Sequence, residues 1–430
     1  MAKDNKFPII LLSIPFFFLV IVGIAFQLDL GIVKISIVTL SLYVIFAISL
    51  LGNNSKVADG PKKFLLSMNF LYFYVLASVI LGLVMDNSIG DIKKDVMGFV
   101  HLWLVYYCAK KLEIEDIEFV WKTIIVISIF AVLKILYINF SNVPVEWTNM
   151  WQARKDPLPG LNWNRIVLNG GDIYLSFSLI SVFTYMIYKS KYSNSVFAII
   201  AFLILAFSVF ISLSRSSYLA VIVGFVTSLL IAFFRKVVST KKILVSLSVI
   251  VIVLITVIYY ASDTIDVGDI YLTRIYAYDA EGGSIMSRET EDEVALKEAQ
   301  KSWFFGKGMG ATYEFFSDKS ERANDNIIFT HNFITWILLK MGVLGFILVS
   351  IFFGQVLYIS QKFMAVSSIE KETRLTLVAL TSSFIGLIIV SIYANKMFYT
   401  EGSMFLGLYL AFLYKLSMAV DRDKMRAVSK

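Results

Sequence analysis

Apolar blocks of roughly 18–25 residues recur along nearly the whole chain, and that length is the tightest constraint on its fold. Such a block crosses about 30 Å of hydrocarbon, and as a helix it satisfies its own backbone polar groups there. Twelve blocks are read, at about 7–26, 32–52, 64–85, 96–109, 119–140, 172–188, 196–213, 217–234, 243–260, 342–360, 375–394 and 403–419. The fourth is short and is expected to extend into a flank. Hydrophobic residues make up 58% of the chain and charged residues 17%, with mean hydropathy +0.75. A soluble domain carries about 25% charged residues. The expected architecture is an all-α polytopic membrane protein of about 12 transmembrane helices with a large, partly helical exterior loop.

The run from Phe7 to Phe26 is too long for a signal-peptide core and lacks a small-residue cleavage site. The single Cys108 excludes an internal disulfide or a cysteine-based metal site. Net charge +7 does not indicate nucleic acid, because the basic residues do not cluster on a soluble face. They fall instead on alternate connections: Lys3/Lys6, Lys56/Lys62/Lys63, Lys110/Lys111, Lys189/Lys191, Arg235/Lys236/Lys241/Lys242, Lys362/Lys371/Arg374 and Arg422/Lys424/Arg426/Lys430. The positive-inside rule makes that side the cytoplasm and places both termini there.

Two polar loops then lie outside, and they divide the chain. Residues 1–260 hold nine helices with the smaller loop at 141–171, which carries three tryptophans, Arg154, Lys155 and Arg165. Residues 261–341 form the larger loop and a surface helix, and 342–430 supply the last three helices and a cytoplasmic tail. The larger loop is too long for a connector. Within it, "SRETEDEVALKEAQKSWFFGKG" places Glu291, Asp292 and Glu293 in an expected first helical turn, Lys297 and Lys301 near its end, and Gly306 beyond. The "GKGMG" run at 306–310 follows a helix rather than a strand and reads as a turn, not a phosphate loop.

"THNFITWILLKMGVLGF", residues 330–346, is the sharpest anomaly, since the chain has only two histidines. A spanning helix begun at His331 would carry Lys340 about 14 Å deep, an expensive place for an ammonium. Gly342 to Ser360 can span alone. His331 to Met341 is therefore expected at the outer surface, with Lys340 reaching the headgroups and a bend or close packing at Gly342 and Gly345. His331 then sits at a helix N-terminus, whose positive dipole end favours a neutral, basic imidazole. Its plainer reading is a capping or packing histidine, and His101 reads as a core histidine.

Arg215 stands in the tight joint "SLSRSSYLA" between two apolar blocks, on the same side as His331. It is either a turn arginine snorkelling to lipid phosphates or a guanidinium held for a diphosphate, which its planar fork matches. Arg288 is either a solvated loop charge or a second such cation. Asn332 and Arg165 are further candidates for holding substrate. No metal-ligand cluster, serine triad or nucleic-acid motif is present, and no cofactor is expected.

"SLSRSSYLA", a long exterior loop with an arginine before "WFFGKGMG", and then "HNFITWILLKMGVLG" together resemble the O-antigen ligase and polymerase superfamily of bacterial envelope enzymes. His331-Asn332, nine residues, Gly342 and Gly345 match that family's H-[NSQ]-x9-G-x-x-G pattern. Phe346 departs from the Gly, Thr or Tyr often found next in ligases, and Lys340 replaces an acidic residue of many relatives; both tilt toward a polymerase. The resemblance implies an inverting, metal-independent glycosyltransferase of the inner membrane. It would take an undecaprenyl-diphosphate-linked glycan as donor and a glycan or lipid A–core as acceptor, among membrane lipids and other polysaccharide-assembly proteins, with no nucleic acid. His331 would be the base, and Arg215 and Arg288 would hold the diphosphate. The alternatives are a lipid-linked oligosaccharide flippase, which would show midplane charges and broken helices, and a non-catalytic envelope scaffold.

Overall fold

The computed structural model describes residues 7–22, 27–29, 34–51, 62–140, 153–157, 164–168, 172–188, 196–212, 214–235, 284–315, 324–327 and 330–428. Helices dominate: α1 Phe7–Phe17, passing into a π-helical turn Phe18–Val22, α2 Ile37–Leu51, α3 Lys62–Val84, α4 Ile89–Ala109, α5 Ile114–Phe140, α6 Asp172–Ile187, α7 Val196–Ser212 and α8 Arg215–Phe234. Then come α9 Ser284–Gln300, α10 Phe333–Met364, α11 Lys371–Tyr393 and α12 Thr400–Val428. Three antiparallel pairs are the described strands: β1 Gln27–Asp29 with β2 Lys34–Ser36, β3 Ala153–Pro157 with β4 Asn164–Leu168, and β5 Tyr313–Phe315 with β6 Asn324–Ile327.

Eleven of the twelve apolar blocks fall on α1–α8 and α10–α12, and the ninth, 243–260, lies outside the described residues. Among the described residues, six helical stretches are long and apolar enough to cross a membrane: Leu66–Val84, Ile114–Tyr137, Ser216–Phe234, Phe333–Met364, Lys371–Tyr393 and Thr400–Asp421. The short fourth block gains its length at its N-terminal flank, taking in Asp91 and Asp95.

Of the long apolar stretches, those of α11 and α12 are the most enclosed. Glycines let neighbours approach them closely. A Cβ at Gly407 would lie 2.6 Å from the Leu102 carbonyl oxygen, and one at Gly98 would lie 1.7 Å from that of Phe398. So α4 and α12 meet nearly backbone to backbone, and α8 packs on α11 beside Gly386. Interior hydroxyls pair across helices, Thr184 with Ser228 at 2.8 Å and Ser228 with Ser382 at 2.9 Å, which spares them an unsatisfied state in an apolar interior.

Helix α10 breaks at Gly342, where φ is +65° and ψ is −172°. Its carbonyls before the break lose their intrahelical donors, and the loop after α9 replaces them. Lys307 N–H donates to the Leu339 carbonyl at 2.8 Å and Gly308 N–H to that of Lys340 at 3.0 Å, while Val343 N–H donates to Trp303 at 2.9 Å. Tyr74 and Ser78 of α3 donate to the Met341 and Lys340 carbonyls. The glycines of "GKGMG" serve this wedge: Gly306, Gly308 and Gly310 all have positive φ, and a Cβ on Gly308 would strike Gly82 of α3 at 2.2 Å.

That interlock overturns the expectation for Lys340. It does not reach headgroups. It is fully buried and pairs with Asp95 of α4 at 2.7 Å, and its ammonium also donates to the Ala311 carbonyl. Asp95 additionally accepts from Gly310 N–H at 2.6 Å. The cost of a buried ammonium is met by a carboxylate and a carbonyl rather than by water.

Candidate functional site

The N-terminus of α10, the middle of α9, strand β5 and the α11–α12 link gather at one end of the bundle. Asn332 caps α10, its Oδ1 accepting from Ile334 N–H at 2.9 Å, so His331 is the residue just outside the helix. The His331 carbonyl accepts from Asn395 N–H at 2.6 Å, which ties the turn to the end of α11.

Two carboxylates of α9 meet this pair. Glu291 lies 2.7 Å from His331 Nδ1 and accepts from His331 N–H at 3.3 Å, and Asp292 accepts from Asn332 Nδ2 at 3.1 Å. Tyr313 of β5 donates its hydroxyl to Glu291 at 2.6 Å. The acidic run was expected in the first turn of its helix, but α9 begins at Ser284, so Glu291 and Asp292 stand two turns in and grip the His331-Asn332 pair. Arg288 lies in α9 one turn before them.

The electrostatics follow from this packing. Burial alone would raise the Glu291 carboxyl, but the hydrogen bonds from His331 and Tyr313 outweigh it and hold the group below its ordinary value. Burial, with the neighbouring Glu291 charge, pushes the Asp292 carboxyl up. The Tyr313 hydroxyl is raised by burial and by donating to Glu291. An ionised Glu291 can only accept, so the Nδ1 proton of His331 must face it. Nε2 is then the ring nitrogen that does not face the carboxylate. The His331 side chain is 51% exposed and the Glu291 side chain 6%, so a buried carboxylate positions an accessible imidazole. A polar cavity of about 530 Å³, bordered by Asn87, Glu298, Lys307 and Tyr313, adjoins the same strand.

Arg215 is the first residue of α8, after Ser214, whose hydroxyl caps that helix by accepting from Ser217 N–H. Arg165 lies in β4, in register with Asp156 of β3. The side chains of Arg165, Arg215 and Arg288 lie outside the described residues. The structure therefore joins His331 and Asn332 to α9, which also carries Arg288. His101 is buried in α4 with Nε2 2.9 Å from the Thr39 hydroxyl, away from this cluster, as a core histidine should be. Sequence reading missed Glu291 as the partner of His331, since 40 residues separate them and no motif spacing signals the pair.

Residues 200–350 match the O-antigen ligase family. The match spans α8, α9 and the first half of α10, hence Arg215, Arg288, Glu291 and His331 together. The likeness is to the O-antigen ligase family over that segment. No curated protein matches the chain.

Proposed function

We propose that this protein is a membrane glycosyltransferase that moves a glycan from an undecaprenyl-diphosphate carrier to an acceptor sugar hydroxyl on the outer face of the inner membrane, as an O-antigen polymerase or ligase. The observation that carries this reading is the accessible His331 imidazole held at 2.7 Å by the buried Glu291, inside the segment that matches the O-antigen ligase family. In this reading the positive-inside rule sets both termini in the cytoplasm and this end of the bundle outside, where nucleotide sugars are not expected and the donor must bring its own activated bond.

In the proposed reaction the acceptor oxygen attacks the anomeric carbon as the bond from that carbon to the diphosphate oxygen breaks. One displacement inverts the anomeric centre. The acceptor proton passes to His331 Nε2, and Glu291 stabilises the resulting imidazolium while fixing the ring. The diphosphate leaves with its electron pair, and Arg215 and Arg288 meet its developing charge with bidentate hydrogen bonds. Asn332, anchored by Asp292, keeps the start of α10 in place. No metal is needed for this chemistry.

The test uses the full chain reconstituted in liposomes with an undecaprenyl-diphosphate-linked repeat and a glycan acceptor. The reading predicts a longer or transferred glycan together with free undecaprenyl diphosphate. Movement of intact lipid-linked glycan across the bilayer without bond cleavage would mark a flippase and refute it.

A further inference from the structure

A second polar cluster lies beside the His331–Glu291 pair. Asp172 opens α6, Asn395, Lys396 and Tyr399 lie in the link between α11 and α12, and Glu401 stands in the first turn of α12. The main chain connects the cluster to the site through the hydrogen bond from Asn395 N–H to His331. Tyr399 lies within electrostatic reach of Lys396 and Glu401 and also of Glu291. The cluster therefore adjoins the base.

Its hydrogen bonding is incomplete. Lys396 reaches Glu401 at 3.5 Å, and Asp172 acts on both. One cation thus faces two carboxylates. Among the described residues, Glu401 Oε2, Asp172 Oδ1 and Asn395 Oδ1 are buried without a hydrogen-bond donor. The Glu401 and Asn395 residues are only 2% and 4% exposed, so these are deeply placed acceptors waiting for donors. Lys396, Tyr399 and Asp172 are half-buried.

A sugar supplies what is missing. Its hydroxyls donate to carboxylate and amide oxygens, its ring or N-acyl oxygens accept from an ammonium, and its C–H face covers an aromatic ring. A diphosphate does not fit, because the single Lys396 ammonium is already engaged by Glu401 and leaves no cationic excess. We propose that Asp172, Asn395, Lys396 and Glu401 form the subsite for the acceptor sugar, holding its hydroxyls next to His331. This rests on the transferase reading above and assigns the half of the reaction that the arginines do not serve.

The experiment uses the full-length protein in lipid nanodiscs and, as probe, a short oligosaccharide cut from the host cell's own surface polysaccharide. Binding is read by saturation-transfer NMR without donor, and initial rates are read with lipid-linked donor present. Asp172→Asn and Lys396→Gln should each weaken oligosaccharide binding and raise the acceptor KM by about tenfold or more, the size of a lost charge-assisted hydrogen bond, with the donor KM nearly unchanged. Lys396→Arg, which keeps the charge, should recover part of the loss and exclude simple misfolding. His331→Ala should stop transfer yet bind the oligosaccharide normally. Wild-type protein that does not bind the probe, or Asp172 and Lys396 variants that bind it as wild type does, would overturn the subsite. If His331→Ala transfers normally while those two variants lose binding, the base assignment fails and the subsite stands.

Discussion

The buried pair of Lys340 and Asp95 makes the most demanding prediction for stability. Both side chains are fully buried, 2.7 Å apart, and are joined through Ala311 and Gly310 to the loop that fills the break in α10. Asp95→Leu leaves an ammonium in an apolar interior, and Lys340→Met leaves a carboxylate there. Breaking a buried pair from one side costs about 3–5 kcal/mol. Independent effects would add to roughly 6–10 kcal/mol in the double variant. The double variant removes both charges, so only the Gly310 N–H and the Ala311 carbonyl lose partners, a cost of about 1–3 kcal/mol per group. Equilibrium unfolding in mixed micelles measures the whole cycle. The double variant should therefore lose about 2–6 kcal/mol, less than the additive sum. Additive losses, or single variants within about 1 kcal/mol of wild type, would refute the view that each charge is there to neutralise the other.

Other outcomes follow from the site. Glu291→Gln should keep donor binding and lower turnover by about 10²-fold, because the ring loses its anionic partner when it accepts the proton; single-turnover rates measure this. Since Glu291 is held below its ordinary value, its stabilisation of the fold is complete above about pH 4.3 and fades as pH falls through its lowered value. Acid unfolding of Glu291→Gln should accordingly show a flatter limb below that pH. Arg215→Ala and Arg288→Ala should abolish transfer at normal protein levels, with lysine rescuing only in part, as product analysis in a glycan-deficient host can show. Gly342→Ala would set a Cβ 2.4 Å from the Gly306 nitrogen and the Phe304 carbonyl oxygen at a residue with φ +65°. It should expel the 303–311 loop, which limited proteolysis detects as new cleavage there.

The helical layout was legible in the sequence because length and hydropathy are local properties, and eleven apolar blocks became eleven helices. The break after Met341 was legible too, because Gly342 and Gly345 follow a lysine that could not lie exposed in lipid. What replaced headgroups around Lys340 was not legible, since Asp95 lies far away in the chain and pairs through tertiary packing alone. The same limit hid the partner of His331. Glu291 and Asp292 suited a helix start by composition, and only the observed start at Ser284 turns them toward His331-Asn332. "GKGMG" was rightly a turn, but its positive-φ glycines also plug the opened backbone of α10, which spacing alone does not convey.

The central claim is that His331 is the base of a glycosyl transfer, and the most direct measurement compares single-turnover transfer by purified wild type and His331→Ala with lipid-linked donor already bound. The account predicts donor affinity within a few-fold of wild type and a rate lower by about 10²–10⁴-fold, the usual contribution of a general base. A variant that turns over within a few-fold of wild type would contradict it and leave the Glu291–His331 pair a purely structural clasp.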